Sequence, residues 1–168
     1  GTAASGAAFA GTGFAQTAAS TLPLLPMTDL SGGIESRIAL NLTPGTHDFG
    51  NGVSSPTLGI NRDYLGPLLR VKQGQTLPFD VTNGISDVST IHWHGLHIPG
   101  YVDGGPHQEI APGATWSPDV PIAQHASMNW FHSHQHGRTA SQVYKGLAGV
   151  MLIEADASLA VDLTRTIG

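Results

Sequence analysis

Residues 90–95, TIHWHG, and residues 130–137, WFHSHQHG, each hold a His-x-His pair flanked by aromatic residues. Side chains alternate between the two faces of an extended strand, so His92 and His94 point the same way, about 6 to 7 Å apart, with Trp93 opposite. His132 and His134 repeat this arrangement, with Ser133 on the far face. Two such strands side by side present four imidazoles in one patch, with Trp93, Trp130 and Phe131 available to pack around it.

Outward from these pairs the chain reads as short strands separated by turns. Strands are predicted at residues 36–42, 68–72, 76–81, 90–94, 115–120, 129–134 and 150–154. Residues 43–46, TPGT, close the first strand with turn residues, and Asn51-Gly52 is the strongest turn signal of that half. Residues 95–106 form a Gly/Pro-rich loop, and residues 141–147 allow one or two helical turns. Short strands at this spacing favour an all-β sandwich or barrel.

Composition agrees. A length of 168 residues suits one domain, and 40% hydrophobic with 11% charged residues, 22 Gly and 11 Pro suit a turn-rich sheet protein. A formal charge of -5 with only 7 Lys and Arg gives no basic face for phosphates, which argues against nucleic acid as a partner. The sequence has no run of 18 strongly apolar residues, so no membrane span is expected. Zero Cys removes disulfides, thiolate zinc sites, iron–sulfur clusters and cysteine nucleophiles together.

Four segments are expected. Residues 1–20 are a small-residue leader whose Ala8-Phe9-Ala10 step fits the remnant of an export signal, the alternative being a flexible Ala/Gly/Ser leader. Residues 21–35 open with TLPLLPMTDL, whose two prolines indicate an extended segment. Residues 36–155 form the body of the domain. Residues 156–168 read as the start of a linker to a further domain.

The chain has nine His against 7 Lys and Arg, and imidazole is the commonest metal ligand. A single His-x-His pair reads equally as surface or core histidines, whereas two pairs converging are harder to explain without an ion. Four neutral imidazoles crowded together are poorly satisfied, and four protonated ones repel. All-nitrogen ligation suits copper best, with zinc, nickel and iron as competitors.

At this point a family resemblance is carried by HWHGLHIPGYVDGGP (residues 92–106) and WFHSHQHGRTASQVYKGLAGVMLIE (residues 130–154). Together they resemble the first domain of multicopper oxidases, nearest to bacterial periplasmic copper-efflux oxidases and laccase-like enzymes. The resemblance covers most of residues 21–168. It implies a cupredoxin-like Greek-key β-sandwich, a periplasmic or secreted location, and an oxidase that reduces dioxygen while oxidising a phenol, cuprous ion or similar one-electron donor. It also implies that His92 is a ligand of the type 2 copper and that His94, His132 and His134 are ligands of the type 3 pair. The other four histidines of that trinuclear cluster come from another domain, which is the expected partner, in the same polypeptide or in a cleaved chain. Asp103, in the VDGGP stretch, matches the family's proton-delivering acid; a turn-stabilising Asp is the compatible plainer reading.

The family's last domain holds a Cys for the type 1 copper, and this chain has none, so alone it is expected to be inactive. A stand-alone copper-binding module is the alternative function. A copper-free structural role, as in the superfamily's cell-division proteins, is disfavoured by the retained four histidines. His136 lies two residues past His134 and is either a channel residue behind the ligands or a surface histidine. His47, His97, His107 and His125 sit in turn-rich sequence and are expected to face solvent. Trp93 is expected in the core, and Arg138 and Lys145 as solvated charges.

Overall fold

The computed structural model describes residues 24–154. The leader and linker expected at residues 1–20 and 156–168 lie outside them. Ten strands form two sheets: β1 (Met27–Asp29), β2 (Ile38–Asp48), β3 (Ser54–Ile60), β4 (Leu68–Lys72), β5 (Thr76–Asn83), β6 (His92–His94), β7 (Thr115–Trp116), β8 (Asp119–Pro121), β9 (Ser127–His132) and β10 (Ala148–Glu154). A 3-10 turn spans Gly100–Val102, and the helix α1 spans Thr139–Lys145. One sheet runs β1-β4-β10-β9-β6 and the other β3-β2-β5-β7, with β8 also on β5. This is the cupredoxin sandwich, mixed in strand direction: β4 runs parallel to β1 and β10, and β2 parallel to β5. Among the described residues no helix is long and apolar enough to cross a membrane.

Alternation builds the core. Leu77, Phe79 and Val81 of β5 turn inward, as do Leu69 and Val71 of β4 and Met151 and Ile153 of β10. Trp93, 1% exposed, enters this core from β6 and stacks on Phe79 across the sandwich at 4.5 Å between ring centres. The pair joins the two sheets directly beneath the His-x-His face.

Several elements differ from expectation. β2 runs through residues 43–46 instead of turning there. Beyond Leu42 its recorded partner is β3, its pairing with β5 ending at Asn83, so Pro44 lies where the strand has one neighbour and a missing N–H is tolerated. Gly45 is needed there because a Cβ would stand 2.3 Å from the Asp63 carbonyl oxygen. The hairpin turns instead at Asn51-Gly52, with Asp48 Oδ1 accepting from the amides of Gly50, Asn51 and Gly52. β3, unpredicted, has Ser-Ser-Pro-Thr where a strand reader seeks branched apolar residues.

The strand predicted at 115–120 is β7 and β8, which keep one register on β5 across residues 117–118. Phe79 still donates to the Pro118 carbonyl, but Pro118 has no N–H to return. Arg37 spans this break, donating to Asp80, Asp119 and the carbonyls of Phe79 and Pro118. β9 begins earlier than expected and ends at His132, which leaves Ser133 and His134 beyond the strand.

Gly149 of β10 faces Phe131 of β9 with no room between: an added Cβ would lie 2.2 Å from the ring. Gly149→Ala therefore overpacks the core next to His132 and is expected to lower stability by about 1–3 kcal/mol. Urea unfolding monitored by tryptophan fluorescence checks this, and an unchanged midpoint would contradict the packing described.

Candidate metal centre

β6 lies antiparallel to β9 with His92 opposite His132, Trp93 opposite Phe131 and His94 opposite Trp130. The even-numbered residues of this ladder face away from the core, so three imidazoles and one indole share the outer face. His134 joins them from the segment after β9, where its amide donates to Thr90 Oγ1 at 2.8 Å. Of the three aromatics expected around the patch, only Trp130 packs on it, 3.9 Å from His132 and 5.0 Å from His94 between ring centres. Trp93 and Phe131 occupy the opposite face and are buried in the core.

The four rings form one cluster. His92 lies 5.5, 5.6 and 5.2 Å from His94, His132 and His134, ring centre to ring centre. His134 stands 5.8 Å from His132. One ring nitrogen from each of His92, His94 and His132 falls within 4.8 Å of the other two, close enough to hold a single metal ion. Each half of the cluster is oriented by a backbone carbonyl. His92 Nδ1 lies 2.9 Å from the Asp103 carbonyl oxygen, and His132 Nδ1 lies 2.7 Å from that of Ser133. A ring that donates through Nδ1 keeps its lone pair on Nε2, where a metal can bind.

His94 Nδ1 and His132 Nε2 are 3.1 Å apart. Two lone pairs at that distance repel, so the contact holds either a proton or a cation. Burial first, and then the three neighbouring imidazoles, push the His132 pKa down to about 4 against the opposing hydrogen bond to Ser133. His132, 4% exposed, is thus held neutral, with a ring nitrogen free to bind a metal.

Asp103 reaches the cluster through its loop. Its carbonyl also accepts from the Trp93 amide at 3.1 Å, and its Oδ1 lies 3.3 Å from His92 Nδ1. The loop comes this close because Gly104 has φ +73° and no side chain: a Cβ would sit 1.7 Å from the Ile91 carbonyl oxygen. Gln108 ties the loop's ends together, accepting from the Gly104 amide and donating to the Tyr101 carbonyl. Neither Gln108 nor Thr90 carries a signal in the sequence.

The other histidines stay apart from the cluster. His136 is exposed past the end of the strand, and His97 and His125 are exposed too. His107 meets the Gly100 carbonyl at 3.2 Å. His47 stacks on Tyr64 at 4.9 Å. Lys145 and Arg138 are both exposed, as expected, and Arg138 pairs at the surface with Asp87 at 3.2 Å.

Comparison with known proteins follows the same lines. A family model described as multicopper oxidase matches residues 41–158. Multicopper oxidase mco of Staphylococcus aureus is 42% identical over 117 residues, which is 70% of this chain and 26% of that protein. Cell division protein FtsP of Salmonella typhimurium is 36% identical over 137 residues, 82% of this chain and 29% of that one. Among solved structures, the bacterial laccase-like multi-copper oxidase CueO of the lignin-degrading bacterium Ochrobactrum sp. superposes with a TM-score of 0.76 at 44% identity. That match covers 82% of this chain and 30% of that one. The chain spans less than a third of the length of these relatives.

The low His132 pKa has a direct consequence. The folded, metal-free protein leaves His132 neutral until about pH 4, whereas the unfolded chain protonates it near 6.5. The resulting stabilisation is complete above about pH 6.5 and is lost as pH falls towards 4, because the unfolded state then binds the extra proton. Imidazole NMR titration of the metal-free protein is expected to give a His132 midpoint near 4, and a midpoint near 6.5 would contradict it.

Proposed function

The chain belongs to the multicopper oxidase family, and from that premise we propose that it is the first cupredoxin domain of a copper-dependent oxidase. In this reading it supplies half of the histidine ligands of a trinuclear cluster that reduces dioxygen to water. One observation carries the reading: nitrogens of His92, His94 and His132 lie within 4.8 Å of one another, with His134 beside them and no thiolate in the chain. An imidazole-only donor set suits copper. Copper supplies the one-electron steps and a binding place for dioxygen.

The residues divide the work. His92 serves as the type 2 ligand, and His94, His132 and His134 as type 3 ligands. The carbonyls of Asp103 and Ser133 keep two of these rings in the ligating tautomer. Trp130 packs on His132 and His94 from one side. Reducing dioxygen to water consumes four protons, and the part-exposed Asp103 carboxylate, against the His92 ring, holds and passes them at Oδ1.

A second domain completes the site. Four imidazoles are half of the family's cluster, and the type 1 copper needs a Cys that this chain lacks. The remaining histidines, the thiolate and the donor site belong to the part of the relatives' length that this chain does not span. A periplasmic or secreted location accords with the family resemblance. The similarity to a protein named for cell division favours a second reading, a domain of this fold without turnover. The intact set of four histidines favours the oxidase.

Copper titration followed by electron paramagnetic resonance, with oxygen uptake on a phenolic donor, tests the proposal. The purified chain is expected to bind copper without intense blue absorption and to consume no oxygen alone. His94→Ala and His132→Ala should each weaken copper binding tenfold or more, about 1.4 kcal/mol. Stoichiometric zinc in protein purified without added metal would overturn the copper assignment. Histidine-dependent turnover by the chain alone would overturn the half-site.

A further inference from the structure

Gln142 lies in the middle of α1, one layer behind the cluster, and is only 3% exposed. Its side-chain amide is engaged through both Nε2 and Oε1 with the two segments that carry the histidines. Nε2 donates to the Val88 carbonyl at 2.9 Å, while Oε1 accepts from Ser89 Oγ at 2.9 Å and from Ser133 Oγ at 2.5 Å. Val88 and Ser89 lead into β6, and Ser133 lies between His132 and His134.

This stitch sits where the sheet provides little. The β6–β9 ladder covers three residue pairs and stops at His132. Beyond it Ser133 is held by three bonds of different kinds: its amide to the Leu147 carbonyl at 3.1 Å, its hydroxyl to Gln142, and its carbonyl to His132 Nδ1. The Ser133 carbonyl shares its peptide plane with the His134 amide, which Thr90 Oγ1 holds at 2.8 Å, and Gln142 anchors the Ser133 side chain at the near end of that plane. That carbonyl selects the Nδ1–H tautomer of His132. The same anchoring fixes the chain leading to His134.

We propose that Gln142 is a positioning residue for the metal centre, setting the tautomer of His132 and the placement of His134 through Ser133, in addition to satisfying buried polar groups. The role in copper binding rests on the proposed function above; the tautomer does not. Loss of such outer hydrogen bonds typically lowers metal affinity about 10- to 100-fold.

Gln142→Met keeps length and volume and removes all three hydrogen bonds. Leu69→Ala, on β4 and two strands away from β9, serves as a core variant that loses stability without touching the network. Two readouts are taken on the 168-residue chain: the imidazole tautomer of His132 by long-range nitrogen–proton NMR without metal, and copper affinity by competition titration. Wild type and Leu69→Ala are expected to show His132 as one Nδ1–H species. Gln142→Met is expected to show mixed tautomers and copper binding at least tenfold weaker. Should Gln142→Met not fold, Ser133→Ala, which removes one arm of the network, decides by the same two readouts. A variant that keeps a single tautomer and wild-type affinity while melting earlier overturns the proposal and makes Gln142 merely structural. Failure of the wild type to bind copper would instead sink the metal centre, leaving the tautomer result to stand or fall by itself.

Discussion

The register of one short ladder governs the site. β6 meets β9 over three residue pairs, and because side chains alternate with a period of two, a slip of one residue would turn every imidazole of the ladder into the core. Three backbone pairs are a weak anchor. The penalty for slipping comes from the other face, where Trp93 and Phe131 are buried and Trp93 stacks on Phe79 of the opposite sheet. Burial of a large side chain stabilises by about 1.5–3 kcal/mol, so the two aromatics outweigh what a shifted ladder would recover. The apolar half of each His-x-His motif thereby places the half that carries the chemistry.

With the rings placed, their nitrogens must still be aimed. Crowded imidazoles are costly when charged, and burial holds His132, the most buried of them, neutral. Aim comes chiefly from backbone carbonyls: Asp103 for His92, with its carboxylate 3.3 Å away, and Ser133 for His132. Both carbonyls belong to segments outside the ladder, and each is held by a feature of its own. Gly104 lets the Asp103 loop press against Ile91, and Gln142 anchors Ser133. The metal centre thus depends on a loop and a helix that contribute no ligand.

Alternation made the pairing of His92 with His94 and the burial of Trp93 legible in the sequence, because both follow from strand geometry alone. The convergence of the two pairs was legible only through the family resemblance, because alternation says nothing about which strands lie side by side. His134 was assigned to a strand that ends two residues earlier, and it reaches the cluster by a turn held at Thr90, which no periodicity encodes. Residues 43–46 looked like a turn because Pro and Gly usually mark one. Here Pro44 sits where the strand has one partner, and Gly45 answers a close approach by Asp63, both of which depend on distant chain. Gln142 was invisible for a similar reason: a glutamine in a helix reads as solvent-facing until the packing of α1 is known.

The central claim is that the four imidazoles on the β6–β9 face, and none of the protein's other histidines, form the copper site. Anomalous diffraction at the copper edge from copper-soaked crystals tests it most directly. The account predicts copper on this face, bound by ring nitrogens of His92, His94, His132 and His134. Copper found instead at His47, His97, His107, His125 or His136, with that face empty, would contradict it.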